Sequence, residues 1–112
     1  MSSASFRQYE RIRHRSEFTR VYEQGKKIRS ESFVLHLLPN HQQHYCRLGI
    51  TASRKVGNAV TRNRCKRLVR ELFRRNKEKF PTGADIVIVV TRNMVGKRYA
   101  ELEDELSKIQ HW

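Results

Sequence analysis

Acidic residues are scarce in this chain: 11 Asp and Glu stand against 24 Lys and Arg, for a formal charge of +13 over 112 residues. A surface this poor in negative charge is unsuited to basic partners and suited to polyanions. Cysteine is nearly absent, with only Cys46 and Cys65. Two isolated thiols exclude a disulfide framework and point to a reducing compartment, so the chain is read as cytoplasmic. No metal-site spacing is present. The longest apolar run is residues 86–90, far short of the roughly 20 residues a membrane helix needs, so no membrane partner is expected. The opening MSSASFRQYERIRHR lacks the apolar stretch of a signal peptide. With two prolines and five glycines, no low-complexity linker or internal repeat is evident. The chain reads as a single domain, 1–112, in which residues 1–15 form a flexible basic lead-in.

What is present is periodicity. Phe18, Val21 and Tyr22 recur at helical spacing between Ser16, a candidate N-cap, and Gly25, a candidate C′ glycine, which predicts a short helix over 17–24. Lys26, Lys27 and Arg29 read as a basic turn. Residues 32–38 carry Phe33, Leu35 and Leu37 on one face and Val34, His36 and Leu38 on the other, the pattern of an inner strand. Residues 46–53 alternate Leu48, Ile50 and Ala52 with Arg47, Gly49, Thr51 and Ser53, whose small polar face suits a surface that something else approaches. A long helix follows Gly57-Asn58 and runs to about residue 76. The β-branched run at 85–91 is a strand. A last helix follows Gly96, with Tyr99, Leu102, Leu106 and Ile109 inside and Glu101, Glu103, Asp104 and Glu105 outside. The order helix, strand, strand, helix, strand, helix predicts an α+β sandwich, a small central sheet packed with helices.

The long helix holds most of the charge. Residues 54–79 contain eleven Arg and Lys against Glu71 and Glu78, which is +9 of the +13. Cys65, Leu68, Val69, Leu72 and Phe73 fall in one apolar arc, while Arg62, Lys66, Arg70 and Arg74 climb one flank at i+4 spacing. Like charges at that spacing cost some tenths of a kcal/mol per pair. A charge run is usually a solvated face, but one of a single sign is better explained by a phosphate backbone. Asn58 or Thr61 caps the helix, whose free N–H groups also favour anions. Arg62-Asn63-Arg64 adds a compact cluster of planar donors.

The segment KVGNAVTRNRCKRL, residues 55–68, closely resembles the signature of the protein subunit of bacterial ribonuclease P. The likeness extends to Arg11, the helix from Glu17-Phe18 to Gly25, Phe33-Val34-Leu35, Arg47-Leu48-Gly49 and Asp85-Ile86-Val87-Ile88. The resemblance implies a left-handed βαβ crossover through the basic helix, where general sheet topology favours a right-handed one. It implies a catalytic RNA partner that cleaves precursor tRNA hydrolytically with Mg²⁺, held chiefly by that RNA and its substrate, to free the mature 5′ end. No obligate protein partner is implied. Carried over by position, the face toward the catalytic RNA is Arg62, Asn63, Arg64, Lys66, Arg67 and Arg70. The cleft for the precursor's 5′ leader is Phe18, Tyr22, His36, Arg47, Ser53, Arg54 and Lys55. Some relatives carry tyrosine where this chain has His36, which stacks on a base with less area. On spacing alone, Phe18 and Tyr22 read as core rather than as a stacking platform; the family position reverses that preference, with Phe18 able to serve both purposes.

Two other classes fit part of the pattern. A general basic RNA-binding or ribosomal protein shares the charge but needs no convergence of Phe18, Tyr22 and His36. A protein nuclease needs converging carboxylates or an acid–base pair. His14, His36, His41, His44 and His111 are scattered instead, and Glu71 reads as an intrahelical partner of Arg67 or Arg75. No catalytic residue is assigned, and Trp112 carries no functional argument.

Overall fold

The computed structural model describes residues 10–40, 42–110 and 112. The expected lead-in therefore falls largely outside the described residues, as do His41 and His111. The elements are α1 (Arg15–Gln24), β1 (Lys26–Arg29), β2 (Phe33–Pro39), β3 (Arg47–Thr51), α2 (Ala59–Arg75), β4 (Ala84–Val90) and α3 (Tyr99–Ile109), with short 3₁₀ turns at Lys77–Lys79 and Arg92–Met94. The four strands form one sheet in the order β1-β2-β4-β3. β3 and β4 are parallel neighbours joined through α2, and the other two pairings are antiparallel.

The two sheet faces do different work. Phe33, Leu35 and Leu37 of β2, Leu48 of β3 and Ile86, Ile88 and Val90 of β4 form one face. They pack against Cys65, Val69, Leu72 and Phe73 of α2 and Leu102 and Leu106 of α3. Packing of these apolar stripes, rather than helix propensity, holds two charged helices in place. Trp112 completes this core: its ring stacks on Phe80 at 5.5 Å and its indole N–H donates to the Lys79 carbonyl. The opposite face is covered only in part, by α1, whose Val21 joins Ile12 and Val87 in a smaller cluster flanked by Phe18, Leu38 and Val89.

Several expectations change. The basic turn is an edge strand, β1, whose only apolar residue, Ile28, joins the main core. α1 starts at Arg15 rather than after Ser16, with the backbone N–H of His14 donating to Glu17 Oε1. Gly25 ends α1 with an extended φ of −85°, so no left-handed cap is formed. Its lack of a side chain matters for another reason, since a Cβ there would lie 2.5 Å from the Val21 carbonyl oxygen and 2.9 Å from that of Leu37. Glu105 is buried rather than outside, and its carboxylate accepts the hydroxyls of Ser30 and Ser32 and the backbone N–H of Ser32. Burial pushes its pKa up, but those hydrogen bonds and Lys97 outweigh it and leave the pKa below the ordinary value. α3 thereby pins the turn between β1 and β2.

Gly49 makes the tightest contact under α1. A Cβ there would lie 2.6 Å and 2.7 Å from the Phe18 ring and 3.2 Å from Ile12 Cβ. Gly49→Ala is expected to displace the Phe18 ring and destabilise the fold by about 1–3 kcal/mol, the usual range for overpacking. Denaturant unfolding checks this, and an unchanged midpoint would show that α1 is not seated on Gly49.

Candidate nucleic-acid interface

Strand register places two rows of side chains across the sheet beneath or beside α1. Lys27, His36, Val87 and Gly49 form one row, and Arg29, Val34, Val89 and Thr51 the next. α1 crosses over the first: Phe18 rests on Gly49, Val21 clusters with Val87, and Tyr22 meets His36 edge-on with ring centroids 4.9 Å apart. The second row is left partly open, with Val34, Val89 and Thr51 half-buried and Arg29 exposed. Beside it, a cavity of about 360 Å³ is lined by Arg13, Arg15, Phe18, Thr19, Tyr22 and Thr51. Ser53, Arg54 and Lys55 follow directly from β3 at this end of the sheet, all exposed. The Lys55 carbonyl accepts a hydrogen bond from Arg92 Nε at 3.1 Å, bringing a further cation there that sequence reading missed.

The seven positions expected in the cleft therefore separate. Tyr22, 40% exposed, presents its ring, whereas Phe18 is half-buried and wedged on Gly49, serving both core and cavity wall. His36 lies beneath Tyr22 with its Nδ1 buried and unpartnered among the described residues. Burial, then the charge of Lys27, lowers its pKa, so the ring is neutral near pH 7. Arg47 is placed apart, on the far side of α1 from the open row. Its guanidinium is held by Asp85 at 2.9 Å through both Nε and Nη2, and by Glu17 at 2.9 Å through Nη1. Three of its five N–H groups are thereby engaged by carboxylates, and the fork braces α1 against the sheet.

The second surface is the exposed side of α2. Asn58 caps the helix, its side-chain oxygen accepting the Thr61 N–H at 2.9 Å, and no acid lies in the first turn. Asn63, Arg64 and Arg67 are exposed, and Arg62, Lys66 and Arg70 are half-buried. None of these five cations forms an ion pair among the described residues. Burial, then the charges of Arg11 and Arg67, lowers the pKa of Arg70. Uncompensated charge thus occupies the first three turns. The last turn differs, because Glu71 binds Arg74 at 2.6 Å and Arg75 at 3.6 Å, and Arg75 lies over the Tyr99 ring. Glu71 pairs with Arg74 and Arg75, where the expectation named Arg67 or Arg75.

Among the described residues no three His, Cys, Asp or Glu side chains converge on a possible metal site. No described helix is long and apolar enough to cross a membrane. Both cysteines are free, and burial pushes the Cys46 thiol up to about 12.

Comparison with known proteins places this geometry in context. The family model described as Ribonuclease P matches residues 6–111. The ribonuclease P protein component of Syntrophus aciditrophicus is 39% identical over 106 residues, covering 95% of this chain and 88% of that protein. That of Thermotoga maritima is 39% identical over 108 residues, covering 96% and 85%. The solved RNase P protein of T. maritima superposes with a TM-score of 0.82 at 35% identity, covering 92% of this chain and 97% of that one. The Staphylococcus aureus RNase P protein gives 0.80 at 30% identity, covering 89% and 91%.

Proposed function

The chain belongs to the ribonuclease P protein family, and on that premise we propose that it binds a catalytic RNA through α2 and the 5′ leader of precursor tRNA through the cleft beside α1. The protein adds binding rather than a nucleophile. Catalysis rests with the RNA, and Mg²⁺ supplies the charge stabilisation and activated water of phosphodiester hydrolysis there. On this reading the protein takes part in that step through positioning and charge. The cations of α2 offset phosphate repulsion and so lower the Mg²⁺ concentration needed. Leader contacts favour precursor over product, because the product has lost the leader; this is differential binding rather than uniform binding. The reading places the protein in the cytoplasm with its RNA partners, in keeping with two unpaired thiols.

The single observation that carries this reading is the open row beside an aromatic wall. Tyr22 stands 40% exposed above a partly apolar floor and shares its cavity with Arg13 and Arg15, while Arg54 and Lys55 are exposed beyond the end of β3. Single strands are held by such a combination of stacking ring and basic groove, each stacked base contributing about 1–3 kcal/mol. Tyr22→Ala is therefore expected to weaken precursor binding by the assembled complex roughly 5- to 150-fold while leaving mature tRNA binding unchanged. Equal weakening of both would return Tyr22 to a structural role.

The direct test is cleavage of precursor tRNA at low Mg²⁺ by the protein alone, by a bacterial ribonuclease P RNA alone, and by both. Cleavage at the mature 5′ end only with both supports the reading. A pair no better than the RNA alone would make this a general RNA binder, and cleavage by the protein alone would require a protein active site.

A further inference from the structure

The cleft has a second charged end. β1, unexpected from the sequence, turns Ile28 toward the main core, so Lys27 and Arg29 project from the opposite face, the one α1 partly covers. Register sets Lys27 beside His36 and Arg29 beside Val34, in the rows that lead to Gly49 and Thr51. Both cations are exposed, and neither forms an ion pair or side-chain hydrogen bond among the described residues. Arg13 and Arg15 mark the β3 end of the same cleft. The open row thus runs across all four strands from Arg29, with Lys27 one row over beside His36, to Thr51 and the Arg13–Arg15 pair, with apolar residues between and the Tyr22 ring on its flank. Three strand-to-strand steps make it roughly 14 Å long.

We propose that Lys27 and Arg29 form a distal phosphate clamp, which grips the leader backbone after it has passed the Tyr22–His36 platform and sets the leader length the protein can sense. This rests on the leader-binding reading above. A cation beside a stacking ring suits a single strand, because a base on the ring brings its flanking phosphate to the neighbouring strand. Edge-strand lysines also discourage strand addition by another chain, which is an ordinary reason for their presence. That protective role requires no leader-length dependence, and the clamp does.

The test uses holoenzyme assembled from the full chain and a ribonuclease P RNA, with precursor tRNAs whose leaders lengthen one nucleotide at a time. Wild type is expected to gain affinity with leader length up to a plateau. Lys27→Gln with Arg29→Gln should match wild type on the shortest leaders and then plateau earlier and lower. On long leaders only, its salt dependence should flatten by about 0.7 log units per lost phosphate contact. Because both side chains are exposed, the thermal midpoint should not move, and this is checked on the free protein. Equal losses at every leader length, or no loss at any, would overturn the clamp. If wild type itself gained nothing from a longer leader, the leader-binding reading would fall first, so the two failures are distinguishable.

Discussion

Replacing Asp85 by alanine is expected to lower the free energy of unfolding by about 3–5 kcal/mol, the usual cost of stripping one partner from a buried ion pair. The Asp85 side chain is fully buried and binds Arg47 through two contacts of 2.9 Å, Gln43 at 2.9 Å and Arg20 at 3.3 Å. Arg47 is itself only 16% exposed and keeps Glu17 as its remaining partner. The variant would leave a largely desolvated guanidinium half-neutralised. Asp85→Asn should cost less, since shape and one acceptor remain. Denaturant unfolding measures both, and a loss below about 1 kcal/mol for the alanine variant would mean Arg47 finds water at little cost.

The same carboxyl predicts the acid limb of stability. Burial pushes the Asp85 pKa up, but hydrogen bonds from Arg47 and Gln43 and the charges of Arg47 and Arg20 outweigh it, so the folded value lies below the ordinary one. Glu17 and Glu105 are lowered in the same net sense. A carboxyl with a depressed folded pKa binds more protons when unfolded, so stability rises with pH there. The contribution is complete above the unfolded values, about 3.9–4.3, and is lost as pH falls through the lower folded values. The Asp85 variants should show a shallower acid decline than wild type, and parallel declines would remove Asp85 as a source. Because Arg20 and Glu17 sit on α1, the loss should also loosen that helix and blunt precursor discrimination.

How legible these features were depends on the range of the interactions that make them. β2, β4 and α2 announce themselves, because their apolar residues repeat at the strand or helix period over seven residues or more. Asn58 as cap follows from its place before an apolar-periodic run. β1 does not announce itself: Lys26-Lys27-Ile28-Arg29 holds one apolar residue, and its strand geometry comes from pairing with β2. The Arg47–Asp85 and Glu105–Ser32 contacts join residues 38 and 73 positions apart. Neither leaves a periodic trace, so Glu105 read as a surface acid and the brace that Arg47 makes to Asp85 went unread, its cleft assignment having come from family likeness alone. The basic face of α2 was fully legible because its signal is local and of one sign. The cleft was legible only as a set of types, since its open row exists by virtue of β1–β2–β4–β3 order, and family likeness supplied what spacing could not.

Substituting Arg62 and Arg64 together by alanine is expected to weaken assembly with the catalytic RNA and flatten its salt dependence. The first three turns of α2 carry five cations without an ion pair among the described residues, and Arg62 Nε is buried without a hydrogen-bond partner. Such repulsion is a standing cost of some tenths of a kcal/mol per i,i+4 pair, relieved when phosphates take the place of absent acids. If each arginine meets one phosphate, the slope of log K against log salt should fall by about 1.4–1.8 in total. Between 50 and 200 mM salt the variant should then lose roughly tenfold less affinity than wild type, from a weaker starting point. Folding should not suffer, because alanine is the better helix former and both positions lie outside the apolar stripe. Arg74→Ala is the contrasting substitution: that side chain is bound to Glu71, so its removal should change the slope little. Filter binding across a salt series, with circular dichroism on each variant, checks both. An unchanged slope in the Arg62/Arg64 variant would remove those residues from the RNA interface. A slope lowered as much by Arg74→Ala would mean net charge, rather than the start of α2, governs binding.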